Sequence, residues 1–395
     1  MKARLSFLYF SIFAFVGIHM PFWPVWLKAK GLDDTAIAFL TALSFALKVV
    51  VTPLMARHSD RHGSQHRLLA GLALGMLAGA VCFYWVDTLL GITLLTLFTF
   101  ACWSPIMSLA ETITLANAKE RNLDYGRIRV WGSVAFLLVA LMGGALIASL
   151  DKQGILTALV GTIALILVAS VLLLPTGVPG AQPTNTEASL RPFLRSKGFM
   201  LFLLAASLIQ GSHAVYFTFA TLHWISEGLS ASSIGALWAV SLAVELAFFF
   251  FGKPVVQRLG PINVLVLGGI AAAARWCLIG MSSNIAVLAV AQSLHAATFG
   301  ASHFAAMLLI MGSVDKRLCA TAQGLYSSAI MGLSMGVFVL LAGPLYATYG
   351  HAAFYVMAAA AAAGATLLWC ARRAVFKVSA DSGIEPGQPG LVNRA

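Results

Sequence analysis

The sequence predicts an all-α membrane protein with twelve transmembrane helices in two pseudo-symmetric six-helix bundles. Composition, regularly repeated apolar runs and an internal duplication support this fold class. Of the 395 residues, 60% are hydrophobic and only 10% are charged, whereas about 25% charged residues is usual for a soluble domain. Because so few charged side chains could not cover a water-exposed globule of this length, the composition indicates a membrane protein.

Twelve apolar runs are long enough to cross a bilayer, since a helical crossing takes about 20 residues. Short polar loops separate them. Trp103-Ser104-Pro105 in the fourth run predicts a kink there. The predicted spans lie near residues 5–27, 35–56, 68–86, 89–113, 129–150, 154–174, 199–224, 232–251, 262–281, 285–311, 321–346 and 352–371.

The basic residues concentrate on one side of the predicted spans. Of the 25 Lys and Arg residues, 20 fall at the termini and in every second loop, three fall in the other loops, and two lie within spans. Because cytoplasmic loops carry the excess of Lys and Arg, both termini are predicted to be cytoplasmic. The net charge of +11 is scattered over short loops, so nucleic-acid binding is not expected.

An internal duplication relates the two halves of the chain at an offset of 197 residues. GLDDTAIAFL from Gly31 aligns with GLSASSIGAL from Gly228. The same offset aligns the loops after the second and eighth spans, pairing Arg61 with Arg258 and Gly63 with Gly260. The chain therefore reads as two six-helix repeats in parallel orientation.

A polar stretch rich in Pro, Gly, Ser and Thr divides six spans from six. We therefore expect an N-terminal bundle at 1–174, a cytoplasmic linker at 175–198 and a C-terminal bundle at 199–373. The final residues, 374–395, are predicted to be a disordered cytoplasmic tail.

Four ionisable residues lie deep within predicted spans: Lys48, Glu111, Glu245 and Arg275. Such residues are costly in a membrane and usually face a cavity or a partner, so each is a candidate functional residue. The offset of 197 places Lys48 and Glu245 at equivalent positions of the two repeats. Arg129 lies just inside the fifth span and joins this set.

The loop DRHGSQHR after the second span resembles the Asp-Arg-x-Gly loop of the major facilitator superfamily. LDYGRIRVWGS at the fifth span is similar to the lactose permease and nucleoside-proton symporter group. PFWPVWLKAKGL, LIQGSHAVYF and LHAATFGASHFAA are most similar to the phenylpropionate permease family. This resemblance implies a multi-pass transporter of the bacterial inner membrane. It also implies a gating loop motif at Asp60, Arg61, Gly63, Arg67, Arg258 and Gly260.

The resemblance implies roles for the intramembrane charges. Glu111 and Arg129 correspond to a charged pair that binds substrate. Glu245, Arg275 and His295 correspond to groups at the site and in proton coupling. The sequence departs from the lactose permease group at Thr298, where a proton-carrying carboxylate is expected. The proton could then reside on Glu245, Glu111 or His295, and Glu245 is our first choice.

Further candidates have weaker sequence support. His19, His213 and His303 lie in spans, where a histidine is as often a helix-to-helix hydrogen-bonding residue as a site residue. Phe22, Tyr216 and Trp238 are predicted to line the cavity. Lys48, Arg129 or Arg275 could hold a substrate carboxylate.

The function predicted is uptake of a small organic acid, such as an aromatic carboxylate, together with protons. The resemblance to phenylpropionate permeases carries the choice of substrate. The alternatives are proton symport of a sugar or nucleoside, then efflux, which is disfavoured because the fifth span contains no Pro. The last alternative is a non-transporting membrane sensor or enzyme. No HExxH, P-loop or clustered Cys/His set occurs, so neither an enzyme, a cofactor nor a metal is expected. The expected partners are substrate, protons and membrane lipid, and the expected state is a monomer.

Overall fold

The protein is described here by a computed structural model that covers residues 1–62, 65–149, 152–174, 190–315 and 318–372. The first part of the predicted linker, 175–189, and the whole predicted tail, 374–395, lie outside the described residues. Residues 190–198 contain one short helix and the start of the next long one.

Long apolar helices make up the described chain, in the order that the hydropathy pattern predicts. We number them α1 (Lys2–Ala29), α2 (Asp34–His62), α3 (Gln65–Cys82), α4 (Leu89–Trp103), α5 (Ile106–Arg121), α6 (Tyr125–Ser149), α7 (Lys152–Leu173), α8 (Arg191–Arg195), α9 (Lys197–Gly211), α10 (Ala214–Ser226), α11 (Ala231–Phe251), α12 (Lys253–Leu259), α13 (Pro261–Met281), α14 (Ile285–Ser293), α15 (Ser302–Ser313), α16 (Cys319–Ser327), α17 (Met335–Tyr349) and α18 (Ala353–Ala371).

Eleven helical segments of the described chain are long and apolar enough to cross a membrane. The last of them, Thr321–Ala371, contains 51 residues, which is more than twice the length that one crossing takes. A turn at Gly350, where φ is +53°, divides it into two helical parts. The segments therefore supply the twelve crossings predicted from the sequence.

Several crossings are interrupted near their middle. Ser104 and Pro105 separate α4 from α5, as the Trp-Ser-Pro sequence predicts, because proline has no N–H to donate to the preceding turn. Ser212 and His213 separate α9 from α10. A π-helical turn at Ala296–Ala301 joins α14 to α15, and another at Ser328–Ser334 joins α16 to α17.

The chain divides into two compact units. The first comprises Met1–Asn185 and Phe217–Ala239, and α1 packs there against α6 and α7. An ion pair between Lys30, after α1, and Asp87, before α4, measures 2.5 Å from Nζ to Oδ1. The α1–α2 and α3–α4 connections therefore lie at the same end of this unit, as the predicted topology requires.

The second unit comprises Thr186–Tyr216 and Val240–Ala395, and its centre is α13 packed against α18. Small residues allow these backbones to approach closely. A Cβ at Gly269 of α13 would lie 2.9 Å from Cβ of Ala365 in α18. Helix α18 also packs against α9, where a Cβ at Gly364 would lie 2.8 Å from the carbonyl oxygen of Ala205. This unit contains the buried polar side chains of the candidate site.

The backbone confirms the duplication at the turn that follows the first helix of each repeat. Gly31 has φ +89° and Gly228 has φ +84°, a region that only glycine adopts readily. Leu32 N donates to the carbonyl of Leu27 at 3.2 Å. At an offset of 197, Leu229 N donates to the carbonyl of Trp224 at 2.9 Å. Both helices therefore end in the same glycine cap.

Replacing either capping glycine with alanine should lower the free energy of unfolding by about 1–2 kcal/mol, because an L side chain is disfavoured at positive φ. Gly71→Ala in α3 is the matched control, since no atom outside its own helix backbone lies within 4 Å of its added Cβ and alanine favours a helix by about 1 kcal/mol. Unfolding in mixed detergent micelles, followed by tryptophan fluorescence, measures the change. Equal stability of Gly31→Ala and Gly71→Ala would contradict the shared cap.

Candidate functional site

Arg275 of α13 lies at the centre of a polar cluster inside the second unit. The residue is completely buried. Its Nη1 donates to Nδ1 of His295 at 2.8 Å and lies 3.3 Å from Oγ1 of Thr298, while Nη2 donates to Oε1 of Gln292 at 2.7 Å. A charge removed from water needs such charge-assisted hydrogen bonds, and the span from Gln292 to Thr298 supplies all three.

The hydrogen bond from Arg275 fixes the tautomer of His295. A guanidinium group can only donate, so Nδ1 of His295 accepts and the hydrogen of the neutral ring lies on Nε2. That nitrogen faces Oε2 of Glu245 at 3.5 Å. His295 therefore stands between a cation and a carboxyl group, and a second proton could enter at Nδ1 only by breaking the bond to Arg275.

Glu245 of α11 reaches this cluster next to the π-helical turn. It is 9% exposed, and it lies against bare backbone at Gly300. A Cβ at Gly300 would be 2.9 Å from Cγ and 3.0 Å from Oε1 of Glu245. Single π-helical turns in α-helices are frequent at functional sites, and this one spans Ala296–Ala301.

Aromatic rings enclose the arginine. Its Cζ lies 4.3 Å from the ring centroid of Tyr216 and 4.7 Å from that of Trp276, within the range of cation–π attraction. The hydroxyl of Tyr216 accepts from Nε2 of Gln292 at 2.9 Å. Gln292 therefore orients both a ring and the cation with one carboxamide.

His213 extends the cluster to the break between α9 and α10. Its Nδ1 lies 3.1 Å from the carbonyl oxygen of Gln210, and its Nε2 lies 3.3 Å from Oγ1 of Thr298. Because a carbonyl only accepts, Nδ1 carries the hydrogen and Nε2 of the neutral ring is an acceptor. The carbonyl oxygen of His295, 3.2 Å from Oγ1 of Thr298, is a second acceptor for the one hydroxyl hydrogen of Thr298. Thr298, which replaces the expected carboxylate, thus links His213 to Arg275 without adding charge.

Lys48, Glu111 and Arg129 form a second charged group, within the first unit. Lys48 and Arg129 are near enough to act electrostatically on Glu111, but within the described chain no ion pair shorter than 4.0 Å joins it to either of them. Arg129 instead places Cζ 4.2 Å from the ring centroid of Phe13 and 5.4 Å from that of Tyr9. Lys48 is exposed, and the other two are half-buried.

The remaining aromatic and histidine candidates are Phe22, Trp238, His19 and His303, and of these His303 is near enough to Glu245 to interact with it electrostatically. Phe22 and Trp238 are buried, and Nε1 of Trp238 donates to Oγ1 of Thr221 at 3.0 Å. His19 stacks on Phe15 and Trp23. The ring of His303 lies 5.8 Å from that of Tyr326. Their roles in transport stay predictions.

The loop motif is described only in part. Asp60 and Arg61 belong to the last turn of α2, and Gly63 lies outside the described residues. Arg67 is in the first turn of α3, and Arg258 is near the end of α12. Gly260 has φ +78° at the junction with α13. Its gating role also stays a prediction.

Gln292, Thr298, Gly300 and Trp276 belong to the site but were not among the predicted residues. A signal existed for Gln292, because it lies three residues before His295 in an apolar span and residues three apart share a helix face. The carboxamide in an otherwise apolar run could therefore have been included. No sequence signal marks Gly300, since its importance depends on a neighbour 55 positions earlier.

Two repeats of six membrane-crossing helices, with a buried arginine, histidine and carboxyl cluster in one of them, are characteristic of a major facilitator transporter. The MFS_1 like family model matches residues 2–357, so the chain belongs to that family. It is accordingly a transporter and not an enzyme.

Individual relatives are transporters as well. The chain is 32% identical over 357 residues to the probable 3-phenylpropionic acid transporter of Escherichia coli (strain K12), covering 89% of this chain and 92% of that protein. It is 26% identical to the maltose permease of Geobacillus stearothermophilus, covering 90% of each. The crystal structure of the nucleoside transporter NupG superposes with a TM-score of 0.83 at 17% identity, covering 93% of this chain and 98% of that one.

Arg275→Met should lower the free energy of unfolding by about 2–4 kcal/mol, because it leaves the buried acceptors of His295 and Gln292 without a donor. Arg258→Met is the control, since Arg258 is exposed and a surface change alters stability by less than about 0.5 kcal/mol. The free energy is obtained from denaturant unfolding of the two purified variants in the same detergent. If both variants unfold alike, the cluster does not depend on the arginine.

Proposed function

We propose that this transporter imports a small organic acid, such as an aromatic carboxylate, together with a proton by alternating access. The observation that carries the proposal is the chain of contacts from Glu245 through His295 to Arg275. These contacts connect the carboxyl group of Glu245, which can take up a proton, to the permanent positive charge of Arg275.

Glu245 is the proton carrier in this proposal. The hydrogen bond from Arg275 occupies Nδ1 of His295, so protonation of that ring would break a buried contact. Protonation of Glu245 removes a buried negative charge without breaking that hydrogen bond. The membrane potential supplies about 2.3 kcal/mol per charge per 100 mV, which favours inward movement of the proton.

Lys48 and Arg129 are the proposed ligands of the substrate carboxylate. Lys48 is exposed, and the guanidinium of Arg129 lies over two rings where an aromatic acid could be held by both charge and stacking. Arg275 is completely buried and engaged by its neighbours, so we assign it a positioning role. The similarity to the probable 3-phenylpropionic acid transporter of Escherichia coli (strain K12) supports an aromatic acid as substrate.

The setting of this function follows from the basic residues. Lys and Arg dominate the termini and alternate loops, which supports cytoplasmic termini in a bacterial inner membrane. The chain is proposed to work as a monomer surrounded by lipid, with both charged groups within it.

Glu245→Gln should abolish substrate-dependent proton uptake while retaining exchange of substrate between the two sides, because the neutral amide mimics a permanently protonated carboxyl group. Glu120→Gln is the matched control, since Glu120 is an exposed acid at the end of α5. Purified protein in liposomes is assayed by external alkalinisation and by counterflow with labelled 3-phenylpropionate. Wild-type alkalinisation by Glu245→Gln would refute Glu245 as the proton carrier.

Sugar or nucleoside symport is the second candidate. The maltose permease relative supports it, and so does the carboxylate of Glu111, which is without an ion pair inside 4.0 Å in the described chain and could accept hydrogen bonds from sugar hydroxyls.

Lys48→Gln separates the two candidates. For a carboxylate substrate, loss of one charged contact should raise KM at least about tenfold, since such a contact contributes about 1.5–3 kcal/mol. For a sugar or nucleoside, Glu111→Gln should have the larger effect. Initial uptake rates of 3-phenylpropionate, maltose and uridine are compared, with Lys253→Gln on the exposed part of α12 as control. Uptake of maltose or uridine alone would favour the second candidate.

A further inference from the structure

The position of Glu245 depends on the π-helical turn between α14 and α15, because Glu245 contacts two residues of that span that are five positions apart. Its Oε2 lies 3.5 Å from Nε2 of His295, and its side chain lies against the backbone at Gly300. In a regular α-helix, residues five apart are rotated by about 140° from each other, so they would face different neighbours. The turn at Ala296–Ala301 brings both positions to the same carboxyl group.

Ser302 follows this turn and bonds back into it. A π-helical turn pairs backbone groups five residues apart instead of four, so the change of pattern interrupts the regular pairing of carbonyl oxygens. Oγ of Ser302 donates to the carbonyl oxygen of Ala297 at 3.0 Å, five residues back. In α5 and α7, the hydroxyls of Thr114 and Ser170 reach back four residues. The bond of Ser302 therefore fits the π-helical turn and not a regular α-helix.

The hydroxyl of Ser302 occupies space that α13 leaves open at Gly268. A Cβ at Gly268 would overlap Oγ of Ser302 and would lie 3.0 Å from the carbonyl oxygen of Ala297. Glycine is a poor helix former, yet this one lies inside α13. The hydrogen bond for which Gly268 makes room gives a physical reason for a glycine at this position.

A second side chain binds the same turn from α9. Nε2 of Gln210 donates to the carbonyl oxygen of Thr298 at 3.4 Å, and Gln210 is 1% exposed. Two consecutive carbonyl oxygens of the turn, those of Ala297 and Thr298, thus receive hydrogen bonds from side chains. Because buried carbonyl oxygens without a partner are costly, these two donors stabilise the π-helical turn.

We propose that Ser302, in the space left by Gly268, is a positioning residue for the carboxyl group of Glu245, an inference that rests on the proposed role of Glu245 as proton carrier. Loss of the hydroxyl favours return of the span to a regular α-helix. Removing one residue from the turn rotates the part after it by about 100° relative to the part before it. His295, which precedes the turn, keeps its place, whereas Gly300 turns away from Glu245.

Infrared difference spectroscopy between pH values tests this role in the purified full-length protein, without any substrate. The carbonyl band of the protonated carboxyl group of Glu245 is assigned by its loss in Glu245→Gln, and its titration midpoint is measured. His295, Arg275 and His303 act on this carboxyl group electrostatically, and all three are retained in the variants below. Absence of a titrating band that Glu245→Gln removes would overturn the proposal.

Two matched pairs of variants make the measurement specific. Ser302→Ala and Gly268→Ala should each shift the midpoint by about 0.7 pH unit, the equivalent of one lost hydrogen bond. Ser170→Ala removes a buried hydroxyl from a regular helix. Gly161→Ala adds a Cβ that has no atom outside its own helix backbone within 4 Å in the described chain. Both controls should keep the wild-type midpoint, and equal shifts within either pair overturn the proposal.

The double variant, Ser302→Ala with Gly268→Ala, separates one shared contact from two unrelated disturbances. Because both changes remove the same hydrogen bond, their combination should shift the midpoint no further than either change alone. A shift equal to the sum of the two overturns the proposal, and so does a wild-type midpoint in Ser302→Ala. The alkalinisation assay of Glu245→Gln tests the proton carrier separately, so failure of that role leaves the expected midpoint shifts unchanged.

Discussion

The second unit is organised by the need to keep one guanidinium charge inside an apolar helix bundle. An isolated ion there would cost several kcal/mol, and Arg275 is completely buried. Three hydrogen-bond acceptors from one span and the faces of two aromatic rings offset that cost. The tautomer of His295, the orientation of Gln292 and the placement of Thr298 all follow from this constraint.

In the proposed mechanism, Glu245 takes up a proton without breaking the hydrogen bond between Arg275 and His295. His295 accepts a hydrogen bond from Arg275 at Nδ1, and its Nε2 lies 3.5 Å from Oε2 of Glu245.

Hydropathy predicted the architecture, because bilayer thickness fixes the length of a crossing. The orientation inferred from the basic residues stays a prediction. The turns at Gly31 and Gly228 were also predictable, since both the sequence and the glycine requirement repeat. Among the acceptors of Arg275, His295 was a predicted residue and Gln292 carried a signal, whereas Thr298 was not predictable as an acceptor, because the π-helical turn changes which residues share a face after His295. The stacking of Arg129 on Phe13 was missed for another reason: those positions are 116 residues apart and carry no charge pattern.

The two repeats use one scaffold for different chemistry. Lys48 and Glu245 occupy equivalent positions, yet Glu245 is part of a dense hydrogen-bonded cluster and Lys48 is exposed. The two repeats are therefore more alike in the glycine turns that end their first helices than in the surroundings of these two side chains.

The absence of a side chain at Gly300 has a consequence for how this lineage can change. Even one methyl group there would push on Glu245, whereas Gly312, in the same crossing, has open space around it. Related proteins should therefore tolerate many residue types at position 312 but retain glycine at position 300. The positions of this span that do not vary among relatives would then mark the residues that contact the carboxyl group of Glu245.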